Sequence, residues 1–558
     1  MARLGFPEPA KSRSPPFPVR RHLPVVGRRG MVCAAHPLIA SAGLAALARG
    51  GNAVDAVVAA GLAAAVVMPE MCGLGGDLFA IVHSGRAGDA PVAFLGGGAA
   101  PMGASLAMVR AAAAQGPDGT PRMPYRGPLS MGVPGMVDGY GALIERFGRL
   151  GFAAATERAI ALADEGAPIS SLAYVALRVF GDALSARGQG IYMPGGVAPR
   201  PGSLVRQADL AATLRTLAKE GPRAFYEGGL ARRIADGLQA EGAAMDEADL
   251  AAHRTVVEAP IATTYGGHTV HQTGLPSQGL ILLEALNIVE AGGLAALDGA
   301  DATHLMIEAL KCAFADRIAH AGDPRKVPDA TPTLISKRWA KDRLADIDPA
   351  RAALEYRALE LAPGDTTYIC AADGDGMMVS LIQSVSSAFG SGLVAGDTGV
   401  LMNNRAGRGF SLEDDSPNLY APGKRTVSTL NCYMITDAHG APVVAAGTPG
   451  GDGQPQWNLQ VIHGLIDGGL DAQLAVEQPR WSLWPGTDPH NRPNPFHIFA
   501  EDRMGAALLA ALEAKGHVFQ SRGPWGAEGA AQVIARDPQT GALVGGSDPR
   551  VEGMAIGL

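Results

Sequence analysis

The chain has 558 residues, of which 47% are hydrophobic and 18% charged, and its formal net charge is −8. This composition is typical of a folded globular protein and excludes an intrinsically disordered chain. The sequence has no block of basic residues, so it offers no electrostatic footprint for nucleic acid.

The N-terminal stretch 1–30 carries Arg and Pro but no apolar run of the length that a signal peptide needs. We therefore expect a poorly ordered leader and a cytoplasmic protein. The apolar stretch 53–68 contains Asp55 and many alanines, which favours a buried helix over a membrane span. Five scattered cysteines predict buried free thiols, with neither disulfide nor metal spacing: Cys33, Cys72, Cys312, Cys370 and Cys432.

The first part of the chain alternates short strands and helices. Strands are predicted over 31–35 and 78–83, and helices over 37–49, 52–67 and 137–147. A glycine cluster at 73–76 lacks the Lys-Ser/Thr ending of a phosphate-binding loop, which disfavours nucleotide binding. Further helices are predicted over 280–290 and 304–317. The charged stretch 330–363 is typical of a mobile tether.

One predicted helix carries residue types that bind metals. His304, Glu308 and Asp316 fall on or near one face of the helix over 304–317. Imidazoles and carboxylates are metal ligands, but the same spacing also favours ion pairs along a helix. Ion pairing and capping are the preferred interpretation. We expect no metal and no organic cofactor.

A β-hairpin is predicted over 366–385. Its first strand, 366–372, is rich in β-branched and aromatic residues, and a double Asp-Gly turn leads into the return strand over 377–385. Thr366 and Thr367 stand at the head of this hairpin, directly after Gly364 and Asp365. A threonine freed at a new N-terminus gains an α-amine that can activate its hydroxyl.

A glycine pair follows a later strand. Gly450 and Gly451 lie between a predicted strand over 443–448 and a predicted helix over 457–466. Successive glycine N–H groups at such a junction can form an anion-binding concavity. A tight turn that needs glycine would explain the same pattern.

Separated blocks along 31–550 resemble the γ-glutamyltransferase family, a branch of the N-terminal-nucleophile hydrolases. They include the stretches 36–56, 127–139, 308–317, 364–367 and 546–550. The resemblance implies an α+β fold, a four-layer αββα sandwich with two stacked antiparallel sheets between helices. It also implies self-cleavage between Asp365 and Thr366. The resulting large part, 31–365, and small part, 366–558, would form one interwoven heterodimeric domain, alone or as a dimer of heterodimers.

The resemblance assigns catalytic roles to particular residues. Thr366 is expected to be the nucleophile, supported by Thr367 and Ser384. Gly450 and Gly451 are expected to stabilise the oxyanion. Four further residues are expected to bind the substrate: Arg405, Arg408, Ser428 and Thr429.

Several positions depart from the family pattern. Gly97 stands where the transferases have an arginine that holds the substrate α-carboxylate. Arg405 and Arg408 occupy the segment where an aspartate grips the α-amino group, and Tyr368 replaces a common histidine. These changes favour the oxamate-amidohydrolase-like or acylase-like branch, with a small amide as substrate. Arg126 is either a cation that binds an acidic substrate or a solvated arginine on the surface.

Two other functions stay open. The first is a true γ-glutamyltransferase and glutathione hydrolase, which the missing arginine at position 97 opposes. The second, from a different class, is a binding scaffold that keeps the fold without the cut. The intact Asp365-Thr366-Thr367 junction opposes that scaffold.

Overall fold

The computed structural model describes residues 4–6, 21–116, 119–354, 365–484 and 496–558. Its strands are β1 (Val25–Gly27), β2 (Gly30–Ala34), β3 (Asp77–His83), β4 (Val92–Gly96), β5 (Ala114–Gln115), β6 (Pro121–Arg122), β7 (Ala167–Pro168), β8 (Leu204–Val205), β9 (Val256–Glu258), β10 (Ile261–Tyr265), β11 (His268–Gln272), β12 (Asp365–Asp373), β13 (Met378–Ser386), β14 (Tyr433–Thr436), β15 (Pro442–Gly447), β16 (Trp481–Trp484), β17 (His497–Ala500), β18 (Phe519–Ser521), β19 (Gln532–Arg536), β20 (Leu543–Ser547) and β21 (Met554–Gly557).

The α-helices are α1 (Pro37–Ala48), α2 (Ala53–Val67), α3 (Leu106–Ala111), α4 (Met136–Phe147), α5 (Phe152–Glu165), α6 (Ser171–Phe180), α7 (Ala186–Tyr192), α8 (Ala208–Glu220), α9 (Gly229–Ala240), α10 (Glu247–Ala252), α11 (Gly279–Ala291), α12 (Gly299–His320), α13 (Thr331–Leu334), α14 (Lys337–Leu344), α15 (Arg405–Gly409), α16 (Gly453–Ile466), α17 (Ala472–Glu477) and α18 (Ala506–Ala514).

Two seven-stranded antiparallel sheets form the centre of the molecule. The strand order is β1-β20-β19-β15-β14-β11-β10 in the first sheet and β21-β2-β12-β13-β3-β4-β9 in the second. Each sheet takes strands from both sides of the Asp365–Thr366 bond. Cutting that bond would therefore leave two pieces joined along several strand pairs.

Three buried hydrophobic clusters separate four layers. Between the sheets, Phe79 and Ile382 of the second sheet meet Met434 and Ile534 of the first. The outer face of the second sheet packs against α1, α2, α4, α5, α8 and α9. The outer face of the first packs against α11, α12, α16 and α17. The predicted α+β fold, a four-layer αββα sandwich, is confirmed.

Helix α2 shows why small residues dominate this sequence. The Asn52 side chain caps the helix by accepting hydrogen bonds from the N–H groups of Val54 and Asp55, and Asp55 bonds back to Asn52. Every residue of α2 is buried. A Cβ at Gly61 would lie 2.6 Å from Gln383 Oε1 on β13. The helix therefore approaches the sheet more closely than larger side chains would allow.

Most predicted elements agree with the structure to within a few residues, and all five cysteines are buried and free. The mobile tether predicted over 330–363 is wrong where α13 and α14 form. Helix α14 is held in place because its basic and aromatic side chains bind a buried carboxylate. Residues 355–364 lie outside the described residues. Within the predicted leader, 25–27 form β1, which pairs with β20, and residues 1–3 and 7–20 lie outside the described ranges.

That buried carboxylate belongs to a pair at the junction of α11, α12 and α14. Trp339 Nε1 donates to Glu284 Oε1 at 3.1 Å and to Asp316 Oδ2 at 2.8 Å. Arg343 Nε also donates to Asp316 Oδ2, at 2.7 Å. Burial, and then the adjacent Asp316 carboxylate, raise the pKa of Glu284. Burial opposes ionisation of Asp316 as well, but Arg343 lowers its pKa. Glu284 is therefore the member that holds the proton.

We expect Glu284→Gln to change how stability depends on pH. A carboxyl group whose pKa is higher in the folded protein than in the unfolded chain stabilises the folded state when it is protonated. This contribution is complete at pH values below the pKa in the unfolded chain, about 4.3, and it is lost as pH rises through the pKa in the folded protein. Relative to wild type, the variant should therefore gain unfolding free energy as pH rises above about 4.3, and urea titrations at a series of pH values measure this gain. The exposed Glu513→Gln should leave the profile unchanged. Parallel profiles for wild type and Glu284→Gln would contradict the assignment.

Candidate active site

Thr366 lies at an irregularity in the pairing of β12 with β13. Asp365 pairs with Ser386, and Thr367 pairs with Gln383. The single residue between them on β12, Thr366, therefore lies opposite two residues of β13. Such a bulge can re-aim a side chain. Thr366 is 1% exposed, and its Oγ1 donates to Ser384 Oγ at 3.3 Å. The structure thus brings together the predicted nucleophile and the predicted supporting serine.

Thr367 is directed differently. Successive side chains of a strand point to opposite faces, and Thr367 Oγ1 lies 4.0 Å from Met68 Sδ at the end of α2. Thr367 is fully buried. Its contact supports β12 by packing against the helical layer, and no hydrogen bond to Thr366 is present among the described residues.

Tyr368 occupies the position where a histidine is common in the transferases. Its hydroxyl forms a 2.7 Å hydrogen bond with Ser380 Oγ, which donates to Ala446 O of the first sheet at 3.1 Å. A Cβ at Gly447 would lie 2.5 Å from the Tyr368 ring. The tyrosine therefore joins the two sheets directly behind Thr366.

Arg405 forms a buried ion pair. It is 3% exposed, and its Nε donates to Asp77 Oδ2 at 2.7 Å. Burial raises the pKa of the Asp77 carboxyl, and Arg405 opposes that shift. Asp77 faces Ser384 across the β3–β13 ladder. Sequence reasoning missed Asp77 as a partner because the two residues are 328 positions apart.

Arg408 links the end of β13 to the predicted substrate-binding pair. Its Nη1 donates to Ser386 O at 3.0 Å and lies 3.5 Å from Thr429 Oγ1. Ser428 N–H donates to Pro276 O at 2.6 Å. Arg408, Ser428 and Thr429 are all buried. The Arg408 side chain therefore joins the end of β13 to Thr429, next to Ser428 in the chain.

Gln278 fixes the glycine pair relative to Thr429. Its side-chain amide donates to Thr429 O at 2.9 Å and to Gly451 O at 3.0 Å. Sequence reasoning did not single out Gln278, because it lies 151 positions from Thr429. Gly450 has φ 123° and Gly451 has φ 57°, in the region that favours glycine. Within the described part of the chain, neither glycine N–H donates to a protein acceptor, so both remain available to an anion.

A cavity of about 370 Å³ adjoins Gly450. Trp484, His497 and Phe499 line one wall, with adjacent ring centroids 4.6 and 4.7 Å apart and the last two rings edge to face. Arg522 lies over the Phe499 ring at 3.6 Å from its centroid. The space suits a planar group larger than a simple amide.

Gly97 and Arg126 are the two further positions at which a substrate-binding cation was considered. A Cβ at Gly97 would lie 3.0 Å from Phe79 Cζ, so an arginine at this position would need Phe79 to move. Arg126 is half-buried and is not the solvated surface arginine: its Nη1 donates to Ala388 O and Gly390 O and fixes the loop after β13.

His304, Glu308 and His517 have ligand atoms within 4.8 Å of one another. Their polar atoms already have partners: His304 Nδ1 and His517 Nε2 are 2.8 Å apart, and Lys311 Nζ donates to Glu308 Oε1 at 2.7 Å. Asp316 lies with Arg343 instead. The preferred ion-pairing interpretation of Glu308 and Asp316 is confirmed.

A family model described as Gamma-glutamyltranspeptidase matches residues 39–558. The chain belongs to the gamma-glutamyltranspeptidase family. It is 36% identical over 550 residues to the oxamate amidohydrolase proenzyme of Klebsiella pneumoniae, covering 96% of this chain and all of the relative. It is 35% identical over 540 residues to the glutathione hydrolase-like YwrD proenzyme of Bacillus subtilis, covering 96% and 99%.

A solved structure extends the likeness to three dimensions. The crystal structure of cephalosporin acylase from Bacillus halodurans matches with a TM-score of 0.87 and 33% identity, over 98% of this chain and 99% of the acylase. Family and fold together make this gamma-glutamyltranspeptidase-family member an N-terminal-nucleophile hydrolase. Among its described residues, no helix combines the length and apolar character of a membrane span.

We expect Asp77→Asn to destabilise the protein by about 3–5 kcal/mol, because it leaves the Arg405 guanidinium buried without its counter-charge. Asp375→Asn is the matched control, since Asp375 forms an exposed ion pair with Arg149, and its loss should cost about 0–1 kcal/mol. Guanidinium chloride unfolding of both variants measures the difference. Equal losses of unfolding free energy in the two variants would contradict this expectation, because the buried Asp77–Arg405 ion pair would then matter no more than an exposed one.

Proposed function

We propose that this protein is a self-processing amidohydrolase that cleaves its own Asp365–Thr366 bond and then uses Thr366 as its nucleophile. The observation that carries the proposal is the buried Thr366 hydroxyl, bonded to Ser384 in the bulge that begins at Asp365. The printed names of the bacterial relatives include the word proenzyme, which supports a precursor.

In the maturation step, the Thr366 hydroxyl attacks the Asp365 carbonyl carbon. The peptide C–N bond breaks, the proton moves to the departing nitrogen, and an ester links Asp365 to Thr366 Oγ1. Water then hydrolyses that ester. The products are a large part ending at Asp365 and a small part beginning at Thr366, held together as a heterodimer by the shared sheets.

In turnover, the freed α-amine of Thr366 acts as the base. An α-amine has a pKa near ~8, so it can accept the threonine proton directly or through water. The hydroxyl attacks the substrate amide, and the N–H groups of Gly450 and Gly451 stabilise the oxyanion, by about 2.7–4 kcal/mol for each donor. The amide C–N bond then breaks, and the leaving amine takes the proton that the α-amine accepted. Water or an acceptor amine finally releases the acyl group from Thr366.

The charges around Thr366 favour an acid that lacks an α-ammonium group. Gly97 supplies no guanidinium for an α-carboxylate, and Asp77 already neutralises Arg405. Arg408 brings a cation beside Thr429, and it comes from the segment in which the transferases have an aspartate for the amino group. We infer an acyl group with a carboxylate or oxo function that faces Arg408. The oxamate amidohydrolase of Klebsiella pneumoniae is consistent with such a substrate.

A bulkier acylase-type substrate is the second candidate, because the aromatic cavity beside Gly450 has room for a planar ring. The acylase likeness supports this candidate. A true γ-glutamyltransferase is opposed by the missing guanidinium at position 97 and by the cation of Arg408. A non-catalytic scaffold is opposed by the Thr366–Ser384 geometry.

We expect Thr366→Ala to remain a single uncut and inactive chain, because no hydroxyl is available for either attack. Thr367→Ala is the matched control and should retain some processing, since its hydroxyl faces Met68. Denaturing gels and intact mass distinguish the outcomes, and the small fragment of wild type should begin at Thr366. Full cleavage of Thr366→Ala would remove the nucleophile assignment.

We expect oxamate to be hydrolysed in clear preference to a γ-glutamyl anilide. Arg408→Ala should lower kcat/KM for oxamate by about 10- to 150-fold, the range for a lost charged hydrogen bond, whereas Arg408→Lys should lose less. Ammonia release and anilide release measure the two activities on fully processed protein. A preference for the γ-glutamyl compound would instead support the transferase alternative.

A further inference from the structure

Ser386 has an unusual backbone conformation beside the candidate active site. Its φ is 88°, and within the described residues Phe389 is the other non-glycine residue with positive φ. Non-glycine residues persist in such conformations only when their surroundings hold them, and they cluster at functional sites. Ser386 closes β13 and pairs directly with Asp365, the residue before the predicted cut.

Two active-site side chains hold this conformation. Ser386 N–H donates to Ser384 Oγ at 2.7 Å, and Arg408 Nη1 donates to Ser386 O at 3.0 Å. Ser384 Oγ also accepts from Thr366 Oγ1. A hydroxyl oxygen has two acceptor sites, so the Ser386 N–H helps to fix the direction in which Ser384 meets the nucleophile.

The Ser386 side chain has no hydrogen-bond partner among the residues that the structure describes. The residue is fully buried, and its Oγ is bonded to none of them. Burying a hydroxyl without a partner is unfavourable, and such groups in native structures call for an explanation. In an oxyanion site, donors are placed for the position that the oxyanion will occupy, which differs from that of the ground-state carbonyl oxygen. A hydroxyl that is unpaired before the reaction fits that requirement.

We propose that the Ser386 hydroxyl donates a hydrogen bond to the Asp365 carbonyl oxygen as that oxygen becomes negatively charged during self-cleavage. This inference rests on the proposed function, because it needs Thr366 to attack Asp365. The Thr366 Oγ1–C bond forms, the carbonyl electron pair moves to oxygen, and Ser386 stabilises that charge. When the oxygen–carbon double bond re-forms, the C–N bond breaks and the nitrogen takes the proton. Ser386 is thus a catalytic residue of maturation.

The test is a cleavage time course of the full-length chain made by cell-free translation, with quenched samples separated on denaturing gels. Ser386→Ala should slow cleavage by about 10²-fold or more, as expected for a lost oxyanion donor. Ser386→Gly should be equally slow, because it removes the same hydroxyl while relieving the backbone strain. Ser391→Ala is the matched control: Ser391 is also buried, but its Oγ already donates to Met402 O at 3.1 Å. It should cleave at the wild-type rate.

Hydroxylamine identifies the step that is affected, because it cleaves the ester that forms after the attack. It should not restore cleavage of Ser386→Ala, since the block precedes the ester. Any of three results would overturn the inference. Hydroxylamine could restore cleavage of Ser386→Ala, Ser386→Ala could cleave at the wild-type rate, or Ser386→Gly could cleave normally while Ser386→Ala does not. If wild type itself never cleaves, the proposed function fails; if wild type and Ser386→Ala cleave alike while Thr366→Ala stays whole, only this inference fails.

Discussion

The pairing of β12 with β13 positions the groups on which the candidate site depends. These strands lie at the centre of the second sheet, between β2 and β3, and are buried along almost their whole length. At the end of the ladder, the register shift turns Thr366 toward Ser384. A rigid ladder with one local irregularity holds a reactive hydroxyl precisely, because the surrounding pairs cannot move independently.

Close approach of the layers depends on small residues. Gly61 on α2, and Gly447 at the end of β15, each leave space that a neighbouring side chain fills. Tyr368 uses the space at Gly447 to connect the two sheets, two residues along β12 from Thr366. The alanine and glycine content of the chain therefore has a direct structural consequence: it allows the four layers to pack tightly around β12.

The charges of the site form two separate groups. Arg405 is neutralised by Asp77 and supports the wall of the site next to Ser384. Arg408 contacts the backbone of Ser386 and lies near Thr429, so it joins the strained end of β13 to the substrate-binding pair. Similar residues in one short segment therefore have different partners. This division leaves Arg408, and not Arg405, as the cation next to the predicted substrate-binding pair.

The sequence by itself determined several of the helices, the hairpin at 366–385, the family and its layered fold, because these follow from local periodicity, turn residues and separated motifs. It also indicated Thr366, Ser384, Gly450 and Gly451 as candidates. Only the tertiary structure decided that Arg405 pairs with Asp77, that Arg126 holds a loop, and that α14 binds Asp316. The positive φ of Ser386 was equally hidden, because serine carries no local signal for it. Each of these features arises from contacts between residues distant in the chain, where burial and hydrogen bonding override local preference.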